Sequence, residues 1–257
     1  MADRCPREFL AFAETLAAAS GTVIRQYFRQ PFEIVSKTDE SPVTIADRDA
    51  ETAMRALIRA TYPDHGILGE EFGRERDDAE YQWILDPIDG TGSFISGKPI
   101  FGTLIALWHQ GQPLLGLIDQ PISGERWIGA AGHGTTLNGQ PAHTRPCPSL
   151  DAALLDATDP SMFVHEPRFE ALRRAVARNR WGSDCYAYAL LASGHIDLVV
   201  EKGLKLWDFA TLVPVIEQAG GIITDWQGNP LHPGADGHVL AAGDARVHAA
   251  ALTVLNG

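Results

Sequence analysis

The chain has 257 residues, 45% hydrophobic and 21% charged, long enough to bury a sizeable core in one large domain or two sublobes. Its formal net charge of -12 sets up a field that repels nucleic acid and anionic lipid, which argues against both as partners. The same field repels phosphate esters, so any phosphate site needs local positive charge, most simply bound metal ions.

Pro6 to about Phe28 carries helical periodicity, with Phe9, Leu10, Phe12, Leu16 and Val23 near one face, and Pro31 closes it. Glu14 inside its apolar stretch makes this an amphipathic helix and not a signal peptide. No apolar run approaches the roughly 18 residues of a membrane span. Ile34 to Lys37 reads as a strand end. A polar, turn-rich stretch then leads into a second helix, about 46 to 60. Gly66 to Gly69 is a short apolar run ending in Glu70 and Glu71, and Arg74 to Glu80 reads as a charged loop. Strands follow near 83–85, 100–108, 114–118 and 126–130, and Leu137-Asn138-Gly139-Gln140 is a hairpin signal. Three prolines within 141–150 mark a sublobe boundary. It divides the chain into an N-terminal α+β sublobe, 1–145, and a C-terminal α/β sublobe, 146–257. The second half reads as strand 153–157, helices 167–177 and 185–193, strand 196–200, helix 209–219, strands 221–224 and 239–242, and helix 245–255. Helices layered on sheets are the expected architecture. Cys5, Cys147 and Cys185 form no CxxC pair, which implies reduced thiols in a cytoplasmic protein.

Carboxylates end the apolar runs. Ile67-Leu68-Gly69 runs into Glu70, and Trp83-Ile84-Leu85 runs into Asp86 and Asp89. Val199-Val200-Glu201 leads to Trp207-Asp208 at a helix start, and Ile45-Ala46-Asp47 enters a helix. Each acid taken singly has a commonplace role. Asp-Pro and Asp-Gly form turns, Asp208 caps a helix, and Glu70-Glu71 is a solvated pair. Their joint occurrence, with Pro87 stiffening the link between two acids, points to a shared cleft. Hard divalent cations take oxygen ligands, and one carboxylate bridging two cations holds them about 3.5–4 Å apart, the spacing of two-metal phosphoryl chemistry. In such a turn Asp86 bridges, Asp89 serves one metal, and the Ile88 carbonyl points inward. Gly90 admits a phosphate close to the backbone, and Thr91 stands at a helix N-terminus where it can orient water.

GEE at 69–71, DPIDGT at 86–91 and WDFA at 207–210 resemble the signatures of the inositol monophosphatase superfamily. The resemblance spans nearly the whole chain and implies a layered αβαβα sandwich, the fold shared with fructose-1,6-bisphosphatase. It implies hydrolysis of a small-molecule phosphate monoester with Mg2+, two or three ions per site, in a homodimer. Position by position, it makes Glu70, Asp86, the Ile88 carbonyl, Asp89 and Asp208 metal ligands. Glu70, Thr91 and Asp47 become the groups that hold and deprotonate the attacking water, and Lys37 falls on a loop near the metals. Within the superfamily, the segments 93–107, 116–129, 135–139 and 183–201 are similar to histidinol-phosphatases of the inositol monophosphatase type. Gly92 departs from the basic or polar residue expected there.

The resemblance places the substrate at Gly90, Thr91, Ser183, Asp184, Glu201 and Asp208. Glu201 lies where inositol phosphatases keep an acid for a sugar hydroxyl. Asp184 occupies a position that is small in those enzymes. A second carboxylate suits a cationic substrate better than a neutral polyol, and the plain alternative is that Gly182-Ser183-Asp184 only caps its helix. The nine scattered histidines form no HExxH, and Ser93 and Ser183 have no GxSxG context, so neither a zinc site nor a serine triad is expected. The reading is therefore a histidinol-phosphatase of histidine biosynthesis. Its alternatives are an inositol-1-monophosphatase or other small-metabolite phosphatase, and an interaction protein that keeps the fold.

Overall fold

The structure, a computed structural model, describes residues 4–30, 34–36 and 42–257. The elements in order are α1 (Arg7–Tyr27), β1 (Ile34–Ser36), β2 (Pro42–Thr44), α2 (Ile45–Thr61), β3 (Gly66–Gly69), β4 (Gly73–Glu75), β5 (Tyr81–Asp89), α3 (Thr91–Ile95), β6 (Gly102–His109), β7 (Gln112–Gln120), β8 (Glu125–Ala130), β9 (Gly134–Leu137) and β10 (Gln140–Ala142). There follow β11 (Leu154–Ala157), α4 (Pro167–Ala175), β12 (Arg178–Trp181), α5 (Asp184–Ala192), β13 (Leu198–Glu201), α6 (Leu206–Phe209), α7 (Leu212–Gln218), β14 (Ile222–Thr224), β15 (Val239–Ala242) and α8 (Ala245–Asn256).

These elements stack as α, β, α, β, α. The larger sheet has eight strands in the order β10-β9-β8-β7-β6-β5-β3-β4, antiparallel except where β3 runs parallel to β5. The second has five, β12-β11-β13-β15-β14, parallel only at the β12-β11-β13 end. Strand alternation sorts the core into layers. Trp83 and Leu85 of β5 pack with Phe9, Phe12, Leu16, Met54 and Ile58 of α1 and α2. Ile84, one residue on, faces the opposite way and joins Tyr188, Leu191, Phe209 and Val213 of the middle helices, with Val199 and Ala241 of the second sheet. Leu198 and Val200 face outward against Phe169, Leu172, Val247 and Leu255 of α4 and α8. No helix among the described residues is long and apolar enough to cross a membrane.

The hairpin forms as the Asn-Gly pair predicts, with Asn138 and Gly139 both at positive φ between β9 and β10. Three expectations are corrected. Part of the predicted charged loop is β4, an edge strand, and the unpredicted β12 is an edge strand too. Edges carry charge instead of an apolar signal. The helix predicted over 209–219 is two helices, α6 and α7. Pro214 has no N–H to give the Ala210 carbonyl one turn back, and the Trp108 indole Nε1 donates to that carbonyl instead, at 3.2 Å.

Candidate active site

β5 answers why two acids stand three residues apart. Residues i and i+3 of a regular strand face opposite sides. Between Asp86, paired with Leu104, and Asp89, paired with Gly102, the register shifts, so two residues of β5 oppose the single Thr103. That bulge restores Asp89 to the side of Asp86. Pro87 sits inside it, where no ladder N–H is required, and its carbonyl accepts from Thr103 Oγ1 at 2.8 Å. Asp86 is 1% exposed and its Oδ1 accepts from the Ile88 amide at 3.0 Å.

Asp208 arrives from α6, its Oδ2 accepting from the Lys205 amide at 2.6 Å. Carboxylate oxygens of Asp86, Asp89 and Asp208 lie within 4.8 Å of one another. Glu70 directly follows β3, whose Gly69 pairs with Leu85, so it lies beside Asp86, and its amide donates to the Leu85 carbonyl at 3.1 Å. Burial first, then the charges of Glu70, Asp89 and Asp208, push the Asp86 carboxyl well above the usual carboxylate range. Burial and then Asp184 push Asp89 up to about 7. Burial and then Asp89 raise Asp208 as well. No Lys or Arg forms an ion pair with these three among the described residues. Crowded, buried anions offering oxygen donors only fit a hard cation.

The turn beyond β5 is built for close approach. Gly90 has φ +86, and a Cβ there would come within 2.8 Å of Asp184 Oδ2. Thr91 opens α3 and donates its hydroxyl to the Ile88 carbonyl at 3.1 Å. Gly92 faces open space. Asp47 lies in the first turn of α2, 1% exposed. Lys37 lies outside the described residues.

The first turn of α5 closes the site from the other side. The Cys185 amide donates to Asp89 Oδ2 at 2.6 Å. Asp184 does not cap its helix. It takes φ +46 and its Oδ2 accepts from Ser93 Oγ at 3.0 Å, which brings its carboxylate against the Gly90 turn. Ser183 turns its hydroxyl back to Asp156 Oδ2 on β11, at 3.0 Å. Glu201 ends β13, buried, with one oxygen accepting from the Thr158 hydroxyl and the other from Tyr188 at 3.0 Å. Burial is the main cause that pushes it up to about 8. Trp207, the neighbour of Asp208 in the chain, packs against the middle core. Asp156, Thr158 and Tyr188 escaped sequence reasoning. Their roles come from contacts between distant strands and helices, and only the alternation of β11 hints that Asp156 faces inward.

An αβαβα sandwich with carboxylates gathered at its strand ends defines the class, and the comparisons agree. The model of the inositol monophosphatase family matches residues 6–256. The chain belongs to that family of phosphatases. The bifunctional phosphatase IMPL2 of Arabidopsis thaliana, a chloroplastic protein, is 54% identical over 258 residues, 96% of this chain and 75% of its own length. The histidinol-phosphatase of Chlorobaculum parvum is 36% identical over 236 residues, 90% of this chain and 91% of its own. A solved inositol monophosphatase from Zymomonas mobilis superposes with a TM-score of 0.90 at 48% identity, covering 98% of both chains.

Proposed function

We propose that this protein is a Mg2+-dependent phosphate monoester hydrolase whose substrate is L-histidinol phosphate. The observation that carries the hydrolase reading is the convergence of Asp86, Asp89 and Asp208 within 4.8 Å beside the Gly90-Thr91 turn. Glu70, Asp86, the Ile88 carbonyl, Asp89 and Asp208 are the groups that would hold the ions. Bound Mg2+ would supply positive charge to the phosphate oxygens and acidify the attacking water. Thr91 gives its own proton to the Ile88 carbonyl, which leaves its oxygen free to accept from that water. Asp47 and Glu70 share the task of taking the proton. The open backbone at Gly92 gives the phosphate room. An interaction protein would gain nothing from buried, mutually repelling carboxylates.

The substrate reading rests on relatives named histidinol-phosphatase and on the acidic wall. Histidinol phosphate carries a primary ammonium one carbon from its phosphate-bearing carbon, with an imidazole beyond. The carboxylate of Asp184, held against the Gly90 turn by Ser93, supports this reading as the partner of that ammonium. A neutral inositol ring offers no charge to match. The test is a comparison of kcat/KM for L-histidinol phosphate and myo-inositol 1-phosphate at saturating Mg2+. We expect histidinol phosphate to win by about ten- to a hundredfold, the worth of one charge-assisted hydrogen bond. A tenfold advantage for inositol phosphate would overturn the substrate assignment and leave the hydrolase reading standing.

A further inference from the structure

Glu70 is the one acid of the cluster that follows a short strand next to an edge, and the β3–β4 turn comes directly after it. What holds that turn is a buried pair on α2. Asp47, Glu51 and Arg55 recur every four residues and share one face of the helix. Glu51 is 0% and Arg55 4% exposed, and Arg55 Nε donates to Glu51 Oε1 at 2.7 Å. The other donors to Glu51 are backbone. The Glu71 amide donates to its Oε2 at 2.8 Å and the Phe72 amide to its Oε1 at 3.3 Å. Arg55 in turn donates through Nη2 to the Gly73 carbonyl, and its Nη1 lies 3.5 Å from Glu75 Oε2. On the near side, Gly69 is pressed so close that a Cβ would come within 1.9 Å of Glu51 Oε1.

The Glu70 backbone is thus fixed from both directions. Its own amide is tied to Leu85, one residue before Asp86, and the next two amides are tied to Glu51. We infer that Glu51, oriented by Arg55, is a positioning residue that sets the distance between Glu70 and Asp86 and so the affinity of the site for its cation. The inference rests on the metal reading above. A carboxylate is required because all three groups facing it are N–H donors. A glutamine would turn an NH2 toward one of them, and an aspartate is too short to reach the turn from α2.

The test is direct Mg2+ binding by titration calorimetry, without substrate, on folded Glu51→Gln and Gly69→Ala, with kcat measured at saturating Mg2+. Both variants should weaken Mg2+ about ten- to a hundredfold, the usual cost of losing support behind a ligand. Their kcat at saturating Mg2+ should fall by less than their Mg2+ affinity, because the shift reaches Glu70 only through its backbone and leaves the other reacting groups in place. Met54→Ala, a cavity in the core on the same helix, serves as control. It should lower Tm yet leave Mg2+ affinity within about twofold, since it removes apolar packing and not the turn contacts. Should Glu51→Gln fail to fold, Gly69→Ala carries the same expectation. Wild-type Mg2+ affinity in both variants, or an equal loss in Met54→Ala, would overturn the positioning role. If the wild-type chain itself gave no Mg2+ heat, both the metal reading and this inference would fall.

Discussion

At the scale of the residue, the proposed choice between the two classes of substrate turns on Asp184. From the sequence alone it is either a helix cap or a wall, because an acid at a helix start satisfies both descriptions. The structure decides against the cap: its carboxylate accepts from Ser93 and leans on Gly90, and its backbone takes φ +46 to do so. Removing the carboxylate should therefore act on recognition. Asp184→Ala should lower kcat/KM for L-histidinol phosphate about ten- to a hundredfold, one charge-assisted hydrogen bond, and that for an aryl phosphate by only about threefold. Equal losses on both substrates would make Asp184 a brace between α5 and the phosphate turn. Glu201 was less legible. Its place in the chain resembled a family position, but nothing local shows that Thr158 and Tyr188 already occupy its oxygens.

At the scale of the element, the β5 bulge turns a strand end into a site. Its existence could be suspected from Pro87 between two acids, but not its partner across the sheet. Thr103 is 0% exposed and spans two elements, donating to the Pro87 carbonyl at 2.8 Å while lying 3.2 Å from Ser20 Oγ on α1. Thr103→Val keeps the shape and removes the hydroxyl, stranding a buried carbonyl. It should cost about 1–3 kcal/mol in denaturant unfolding. An unchanged midpoint and slope would mean that the bulge is held by Pro87 alone. The elements that sequence reasoning missed share one cause. β4 and β12 are edge strands, and Gly73-Arg74-Glu75 and Arg178-Asn179-Arg180-Trp181 lack the apolar alternation that marks an inner strand. The helix broken into α6 and α7 needed knowledge that Trp108, about a hundred residues earlier, takes the carbonyl freed by Pro214.

At the scale of the whole molecule, five layers bring carboxylates from β3, β5 and α6 to one point. The layers were legible because the periodicities of 2 and 3.6 sort buried from exposed faces along most of the chain. The acids of the proposed metal site were legible because Glu70, Asp86 and Asp89 close apolar runs and Asp208 stands at a helix start. What holds them, Glu51 behind Glu70 and the Cys185 amide on Asp89, was not, because those contacts join residues far apart in sequence or hidden on a helix face. A protein with net charge -12 that gathers more negative charge at its centre can attract a phosphate ester only through cations. The measurement that tests this most directly is phosphate release from L-histidinol phosphate across a Mg2+ titration, for the wild-type chain and for folded Asp86→Asn. Release should rise with Mg2+ to saturation, vanish on chelation, and fall by several orders of magnitude in Asp86→Asn at every Mg2+ concentration. Undiminished release in the presence of chelator, or near wild-type turnover by the folded variant, would contradict it.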